Sequence, residues 1–550
     1  MVPGPLLVSL IVRSLHVLPL PHTYFQPDEF YQAFEPAHRH VFGYGFVTWE
    51  WKDLPVVGGE TWWNQLVVGG RMRSWIWPSA FVGLYKLLQL LGLDQTGLIT
   101  FAPRLIGVLV ACLTDLYTYR LSSKLLGPGS TAAALFLSLT SLFNAHLLPR
   151  ALSTSPETLL TIMALYYFPL PKTHSLSTSV NYENSQAAAL KEVKVRPEHP
   201  NAIELNKSSS SVTKLNYIVM DRISPSVFSE TNAGLASAIK ATAIATISGA
   251  ATVGASTALD YLMTGRLYFP ALTFVHQNVL RNISSFYGST NQLYHLTQSL
   301  PILLFPLWWW WAQGFLASLI PDKMLPKRLA SLDRPEGLRL LARAIAFSIA
   351  TLSLSPHSEW RFLHPFLPSL LLFSIPAFAA SYVPTVYGAY RIRWSFRQFT
   401  RIPSRPFHLA LLAPFIPYLY LNTLHGKAQV QVMEALRRGD VGTVSSLVSL
   451  TPCHSTPWMS ALHTDVDGWF LTCEPPLGQS YPSHIILFGE VLSRQEVIDG
   501  NDTSFKEELH RLGYSQAWYG WNGFDMLQDE AERRGGVHVW RRNNGTEAAT

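Results

Sequence analysis

Long apolar segments alternate with polar ones along most of the chain. A membrane-spanning helix needs about 20 predominantly apolar residues, because the hydrocarbon core of a bilayer is about 30 Å thick. About ten segments reach or approach that length. The pattern predicts a polytopic membrane protein with spans at about 3–20, 78–93, 99–117, 130–148, 156–170, 234–258, 299–320, 338–356, 361–383 and 407–423.

The stretches outside these spans differ in character. The first span contains Arg13 and no small-residue cleavage site, which predicts a signal anchor rather than a removed signal peptide. Alternating segments near the C-terminus, such as HIILFGEVL, predict a small α/β domain outside the membrane. The predicted parts are a signal-anchor helix at 1–20, a long first loop at 21–77, a transmembrane bundle at 78–171, a polar, disordered insertion at 172–232, a second bundle at 233–423 and a C-terminal domain at 424–550.

Orientation follows from the positive charges in the connections. Residues 321–337 and 390–405 are the most basic short connections, so both are predicted to be cytoplasmic. The last span then delivers the C-terminal domain to the lumen. Candidate glycosylation sites at Asn282, Asn501 and Asn544 lie on the side that this orientation makes lumenal.

Composition changes this picture in two ways. Charged residues make up only 14% of the chain, well below the roughly 25% of soluble domains, and 17 Trp, 29 Phe and 22 Tyr suit many membrane interfaces. The net charge of +6 is spread over short clusters between apolar runs, which argues against a nucleic-acid partner.

Cys453 and Cys473 can pair in an oxidising lumen, whereas no Cys or His spacing typical of a metal site occurs.

The first loop opens with a predicted helix start, because Pro27 fits the first turn and the acids Asp28 and Glu29 favour its positive dipole end. Apolar and polar residues then recur on opposite faces, which predicts an amphipathic helix at the membrane surface. Two interpretations of the acids are open on spacing alone. They either begin this helix or project into a site where a carboxylate acts as general base. The polar face comprises Asp28, Gln32, Glu35 and Arg39, and the apolar face Phe30, Phe34, Ala37 and Val41.

A second polar group lies at the lumenal edge of the span at 361–383. His357, Glu359 and Arg361 are either ordinary interfacial anchors or groups that stabilise a departing lipid phosphate. Within the third span, Arg104 and Asp115 are eleven residues apart, which places them on one face. They are expected to pair with each other or across helices.

These segments together resemble glycosyltransferase family 22, the dolichyl-phosphate-mannose-dependent mannosyltransferases with the GT-C membrane fold. The string PDEFYQAFEPAHRHVFGYGFVTWEW in the first loop is similar to the acidic region of that family. The family order continues through RSWIWP, APRL…TD, LSTSPETLLT, LDYLMTGRLYFP, FYGS and HSEWRFLHPFLP. The C-terminal pieces TPCHSTPWMSALH and WFLTCEPPL resemble the member that adds the third mannose of the glycosylphosphatidylinositol (GPI) anchor.

The resemblance implies an all-α polytopic enzyme of the endoplasmic reticulum membrane. It would move mannose, with inversion, from dolichyl phosphate mannose to the second mannose of a GPI lipid intermediate in α-1,2 linkage. No cofactor or metal is expected beyond the lipid-linked donor. Asp28 would be the first candidate for the base, with Glu29 sharing that role or orienting the acceptor, and Arg361 and His357 would face the donor phosphate. Further substrate contacts are expected from Glu359, Arg73, Trp49 and Glu50.

Other functions are weighed against this one. Within the family, the rivals are the enzyme for the fourth GPI mannose and those acting on dolichol-linked oligosaccharide, and the Cys-His-Ser-Thr-Pro segment argues against both. From other classes, a lipid transporter or scrambling protein is disfavoured because no internal repeat is visible. A non-catalytic subunit is disfavoured because Asp28 and Glu29 are both present.

The chain departs from the family pattern at two places. Ser358 stands where the family usually has Lys, so a phosphate contact by that lysine must come from elsewhere, such as Arg361. A cytoplasmic N-terminus and a lumenal C-terminus also require an odd number of crossings, whereas about ten are counted. The polar insertion occupies the place of a further apolar helix of the family. The chain is therefore predicted to lack one helix, through a mistranslated gene model or through divergence in which 156–170 does not fully cross.

Overall fold

The structure is a computed structural model. It describes residues 4–55, 61–168, 232–332, 334–382, 413–449, 451–470, 510, 514–521 and 536–542. Almost all of the predicted insertion at 172–232 lies outside the described residues, as do Cys473, Asn501 and Asn544. Asn282 is described and its side chain is exposed, in a turn with a φ of 53°.

Helices make up most of the described chain. They are α1 Gly4–Val17, α2 Pro27–Glu29, α3 Glu35–Phe42, α4 Ile76–Leu90, α5 Leu98–Leu126, α6 Thr131–Thr140, α7 Leu142–Leu147, α8 Thr154–Tyr167, α9 Asn232–Thr264, α10 Pro270–Val275, α11 Leu300–Leu303, α12 Trp308–Leu319, α13 Lys327–Ala330, α14 Glu336–Leu352, α15 Leu367–Tyr382, α16 Phe415–Thr423, α17 Lys427–Arg438 and α18 Met459–Leu462. The strands are β1 Ser446–Ser449, β2 Asp467–Phe470, β3 Tyr514–Trp521 and β4 Gly536–Arg542.

Several of these helices are long and apolar enough to cross a membrane. Three such helical stretches occur within the described ranges, at Gly4–His22, Leu98–Leu126 and Trp360–Phe378. Their length and composition support a multi-pass membrane protein. The other predicted spans overlap helices that are shorter or less apolar, such as α4, α8 and α14, and the number of crossings stays a prediction.

The main apolar core lies among the helices of the bundle. α1 and α8 contact α5, while α12 contacts α15 over much of its length. Gly314 permits that last contact, because a Cβ at this position would collide with the carbonyl oxygen of Phe373. Buried leucines of α5, α6, α14 and α15 fill the space between the helices.

A buried ion pair joins α1 to α5. Arg13 donates to both carboxylate oxygens of Asp115, from Nε at 2.9 Å and from Nη2 at 2.8 Å. Ser9 and Ser138 donate to the same carboxylate, and all four side chains are fully buried. Asp115 therefore pairs across helices rather than with Arg104, which is the second of the two predicted arrangements.

The helix predicted to follow Pro27 is present, but it does not lie on the surface. α2, a π-helical turn at Phe30–Phe34 and α3 run without a break, and we call residues 27–42 the acidic helix. Both predicted faces are largely buried, including Gln32 and Glu35 of the polar face. The expectation of an amphipathic surface helix is wrong here, because α4 covers one side and the C-terminal part of the chain covers another.

The C-terminal part combines helices with two small sheets. β1 pairs with β2 in parallel, from Ser446 opposite Asp467 to Ser449 opposite Phe470, and β3 pairs with β4 in antiparallel orientation. Side chains of α17, α18 and residues 466–470 form a small core of their own. Cys453 in this part is disulfide-bonded and Cys112 is a free buried thiol. The pairing of Cys453 with Cys473 stays a prediction, since Cys473 lies beyond the described residues.

Candidate active site

Asp28 lies at the beginning of the acidic helix, where its side chain is about one quarter exposed (26%). Its Oδ2 atom accepts a hydrogen bond of 2.6 Å from Nη1 of Arg361. The two residues are 333 positions apart in the chain, so only the tertiary fold brings them together. This pair is the point at which the two polar groups recognised in the sequence meet.

Arg361 is shared between two carboxylates. Besides Asp28, it contacts both oxygens of Glu359, at 2.6 Å from Nε and 2.9 Å from Nη2. Burial alone would raise the pKa of Glu359, but Arg361 and His357 outweigh it and hold that pKa at about 2. Glu359 therefore stays ionised, and its negative charge fixes the guanidinium in a partly accessible position.

His357 completes this group. Its Nε2 atom lies 3.5 Å from Glu359, and its Nδ1 atom lies 2.9 Å from the carbonyl oxygen of Gly288. The hydrogen bond to Glu359 raises the pKa of His357 above its ordinary value, although burial opposes the shift. The imidazole consequently keeps its proton to a higher pH than an ordinary histidine does. Ser358, between the two, is buried.

A second ion pair borders the same place. Arg73 donates to Oε1 of Glu50 from Nη2 at 2.6 Å and from Nε at 3.0 Å. Burial alone would lower the pKa of Arg73, but the charges of Glu50 and Asp28 raise it above its ordinary value, and the charge of Arg361 opposes that rise. The two ion pairs therefore lie within electrostatic range of each other. Trp49 donates from its indole to the hydroxyl of Tyr287 at 3.1 Å. The FYGS segment thereby connects the first loop to His357.

Glu29 has a different environment from its neighbour Asp28. Its carboxylate is fully buried and forms ion pairs with Arg104 of α5 and with Nη1 of Arg150, the latter at 2.9 Å. Arg150 also donates to the hydroxyl of Thr23 at 2.9 Å, and Arg104 lies over the ring of Phe34 at 4.9 Å. With both oxygens engaged by arginines, Glu29 holds the acidic helix onto α5 and the segment before α8.

The sequence-predicted residues thus fall into two sets. One set, at a partly accessible place, brings together Asp28, Glu50, Arg73, His357, Glu359 and Arg361, with Trp49 at its border. The other set is buried and holds helices together. The pairing of Glu29 with Arg104 and Arg150 was missed from the sequence, because nothing local to either arginine indicates its partner. Within the described ranges, no group of three or more His, Cys, Asp or Glu side chains is placed to hold a metal.

Comparison with known proteins gives this geometry a family. Residues 5–463 match the model of the Alg9-like mannosyltransferase family. The chain belongs to this family. The matched range includes every charged residue of the partly accessible set. Because it belongs to this family, the chain is a mannosyltransferase, a glycosyltransferase of family 22.

Relatives from several kingdoms resemble the chain over most of its length. GPI mannosyltransferase 3 of Yarrowia lipolytica is 32% identical, over 83% of this chain and 74% of that protein. GPI alpha-1,2-mannosyltransferase 3 of Danio rerio is 30% identical, over 92% of this chain and 78% of that protein. The human protein of the same name is 27% identical, over 86% of this chain and 73% of its own length.

Among solved structures, the apo form of ArnT from Cupriavidus metallidurans covers 98% of this chain and is covered over 97% of its own length. The sequence identity is 11% and the TM-score 0.45. ArnT bound to undecaprenyl phosphate gives a TM-score of 0.44.

Proposed function

We propose that this mannosyltransferase adds an α-1,2-linked mannose to the second mannose of a GPI lipid intermediate. The observation that carries the proposal is the extended similarity to relatives named GPI mannosyltransferase 3 and GPI alpha-1,2-mannosyltransferase 3. The Cys-His-Ser-Thr-Pro segment, the most specific part of the resemblance, contacts the acidic helix, where the hydroxyl of Tyr31 donates to the carbonyl oxygen of Thr456. The reaction would take place at the lumenal face of the endoplasmic reticulum membrane.

The donor in this proposal is dolichyl phosphate mannose. Arg361 supports it, because a guanidinium at a membrane edge binds phosphate oxygens in a planar, bidentate manner. Its charge and that of protonated His357 can stabilise the negative charge that develops on the departing phosphate. This stabilisation requires no metal ion, and the proposed reaction is independent of metals.

Asp28 is the proposed general base. It would accept the proton of the acceptor 2-hydroxyl while that oxygen forms a bond to C1 of the donor mannose. The bond between C1 and the phosphate oxygen breaks on the opposite face, and dolichyl phosphate leaves with the electron pair, which inverts the configuration. A donor phosphate that engages Arg361 would draw it away from Asp28, which frees the carboxylate for the acceptor at that step.

The pairs Arg73–Glu50 and Trp49–Tyr287 are proposed to position the sugars. Trp49 and Tyr287 offer aromatic and hydroxyl groups at the border of the site, while Glu50 and Arg73 offer charged hydrogen-bonding groups. Glu29 is proposed to act only by holding the helix, because its oxygens already face Arg104 and Arg150.

Lipid analysis of cells that lack the third GPI mannosyltransferase tests the proposal. Expression of this chain should convert an accumulated two-mannose GPI intermediate to the three-mannose form and restore surface GPI-anchored proteins. The matched control is the same chain with Arg343→Gln, an exposed residue of α14 outside the site. Persistence of the two-mannose lipid at normal protein levels would contradict the proposed acceptor, and correction of truncated N-glycans in the corresponding mutants would favour the oligosaccharide alternative.

A further inference from the structure

A ten-residue stretch of the C-terminal part, residues 454–463, lies along the acidic helix, and we call it the clasp segment. The hydroxyl of Tyr31 donates to the carbonyl oxygen of Thr456 at 2.9 Å, and that of Tyr24, just before the helix, donates to the carbonyl oxygen of His454. These residues are more than four hundred positions apart in the chain, with separations of 425 and 430. The clasp segment is therefore tertiary structure around the helix rather than a local extension of it.

Glu35 makes the central contact with the clasp segment. Its Oε1 atom accepts hydrogen bonds from the backbone N–H of Trp458 at 2.9 Å and from the hydroxyl of Ser460 at 2.6 Å. The backbone N–H of Ser460 also donates to it, at 3.1 Å. Glu35 is fully buried, and burial raises its pKa to about 7 even though these bonds favour the ionised form. The buried carboxyl group of Glu35 therefore binds the clasp segment directly, through these three hydrogen bonds.

Further contacts extend along the same side of the helix. His38 and His463 form a buried hydrogen bond of 2.8 Å between Nε2 and Nδ1. Burial lowers the pKa of His38 to about 3 and also lowers the pKa of His463, which favours the neutral forms in this bond. Met459 and Trp458 belong to the small C-terminal core, which connects the clasp segment to α17.

The acidic helix is thus held on two sides. Arg104 and Arg150 engage Glu29, and the clasp segment engages Glu35. Asp28 and Glu35 are seven residues apart, about two turns of one continuous helix. A shift of Glu35 along or around the helix axis consequently moves Asp28 as well. A misplacement of about 1 Å can cost about 100-fold in rate.

We propose that Glu35 is a positioning residue that, through Trp458 and Ser460 of the clasp segment, holds Asp28 at the place where the transfer step requires it. The inference rests on the proposed function, in which Asp28 is the base. It assigns the C-terminal part a role in the rate of transfer, in addition to any role in stability. Glu359, which precedes Arg361 in the chain and is not part of the acidic helix, holds the guanidinium of Arg361 independently of Asp28, so donor binding should be unaffected.

Steady-state kinetics of purified full-length variants tests the proposal. Glu35→Ala should lower kcat per folded enzyme by about 10-fold to 100-fold, with the KM for dolichyl phosphate mannose unchanged. Glu35→Gln keeps an oxygen that accepts from Trp458 and Ser460 and resembles the protonated acid, so it should recover most of kcat. Ser449→Ala is the matched control, because it removes a hydroxyl from the same part of the chain, where Ser449 contacts Thr451 instead of the acidic helix.

A second readout separates positioning from stability. Amide hydrogen exchange of residues 27–34 should be faster in Glu35→Ala than in the wild type, and unchanged in Ser449→Ala. If Glu35→Ala does not fold, Ser460→Ala carries the test, since it removes only the hydroxyl bond of 2.6 Å and should lower kcat in the same direction. Wild-type kcat in whichever of these variants folds would overturn the proposal. A wild-type enzyme that transfers no mannose to the two-mannose lipid would instead refute the proposed function, while the exchange data would still report on the coupling.

Discussion

Two adjacent carboxylates on the acidic helix occupy opposite environments. Asp28 is partly exposed and contacts a single arginine, whereas Glu29 is fully buried between two. An exposed ion pair contributes about 0–1 kcal/mol, but breaking a buried pair costs about 3–5 kcal/mol because it leaves an uncompensated charge. Replacement of Asp28 by its amide should therefore affect activity, whereas replacement of Glu29 by its amide should affect stability.

Asp28→Asn should abolish transfer without loss of the protein. The amide keeps the size of the side chain and Arg361 keeps its contacts with Glu359, so the folded state is retained. Loss of a general base lowers the rate by about 10²–10⁴-fold. Complementation of a third-mannose defect measures the transfer activity, and immunoblotting measures the protein level. Near-normal GPI profiles from this variant would remove Asp28 from the role of base.

Glu29→Gln should instead destabilise the fold. It leaves Arg104 and Arg150 buried without a carboxylate, at a cost of about 3–5 kcal/mol. We expect a lower yield and a lower unfolding temperature in detergent. Glu336→Gln is the control, because Glu336 is exposed and lies 3.6 Å from Arg343. A stable Glu29→Gln protein that loses only activity would show that Glu29 takes part in the chemistry.

His357 should give the KM for the donor a dependence on pH. Its pKa is raised by the hydrogen bond to Glu359, so the imidazole is charged below that raised value and neutral above it. Attraction to the donor phosphate should thus be present below that raised pKa and lost as the pH rises through it. We expect a rise in KM of about fivefold, equivalent to about 1 kcal/mol. In His357→Gln this component should be absent; equal pH profiles for both proteins would exclude the assignment.

At the scale of elements, close backbone approach and buried charge decide which helices are neighbours. Gly314 of α12 faces the carbonyl oxygen of Phe373 in α15, and the ion pair of Arg13 with Asp115 joins α1 to α5. Both contacts leave little room for substitution. Arg104 and Asp115, which the sequence predicts to share a face of α5, are both buried, and each pairs with a different element.

Gly314→Ala should separate α12 from α15. The new Cβ would meet backbone, which cannot rotate away, so we expect a loss of about 1–3 kcal/mol in the free energy of unfolding. Gly83 in α4 provides the opposite case, since a Cβ there has no neighbour within 4 Å. Gly83→Ala should stabilise by up to about 1 kcal/mol. Thermal unfolding in one detergent compares the two; equal midpoints would argue against the α12–α15 approach.

At the scale of the whole molecule, the acidic helix is the place where distant parts of the chain meet. It contacts Arg104 and Arg150 of the first bundle, Arg361 before α15, and the clasp segment of the C-terminal part. The site therefore requires the first bundle, the second bundle and the C-terminal part at once. The orientation predicted from the sequence, with a cytoplasmic N-terminus and a lumenal C-terminal part, requires an odd number of crossings.

That topology predicts glycans at Asn501 and Asn544, detectable as a mobility shift removed by glycosidase. It leaves two explanations for the polar stretch at 172–232: either the mature transcript differs there and encodes an apolar helix, or the chain has diverged so that 156–170 does not fully cross. Each charge near the centre of a span costs about 2.5–3.5 kcal/mol, which prevents this polar stretch from crossing. A transcript that encodes the polar stretch, in an active and glycosylated protein, would contradict the gene-model explanation and favour divergence.

The sequence by itself determined which class of protein this is and which segments are candidates for the chemistry. Hydropathy and charge act locally, so spans, the start of the acidic helix at Pro27 and the polar groups at residues 28 and 357–361 are visible without the fold. Family resemblance added the type of reaction. All of these properties depend on residues close together in the chain.

Only the tertiary structure decided which of the polar residues are partly accessible and which are buried. Asp28 and Glu29 are indistinguishable by spacing, and their environments differ because Arg361 contacts Asp28 while Arg104 and Arg150 enclose Glu29. The polar face of the acidic helix is buried because Glu35 meets donors 423 to 425 positions away. A carboxylate is stable in the interior only where such partners converge, and that convergence depends on the whole fold.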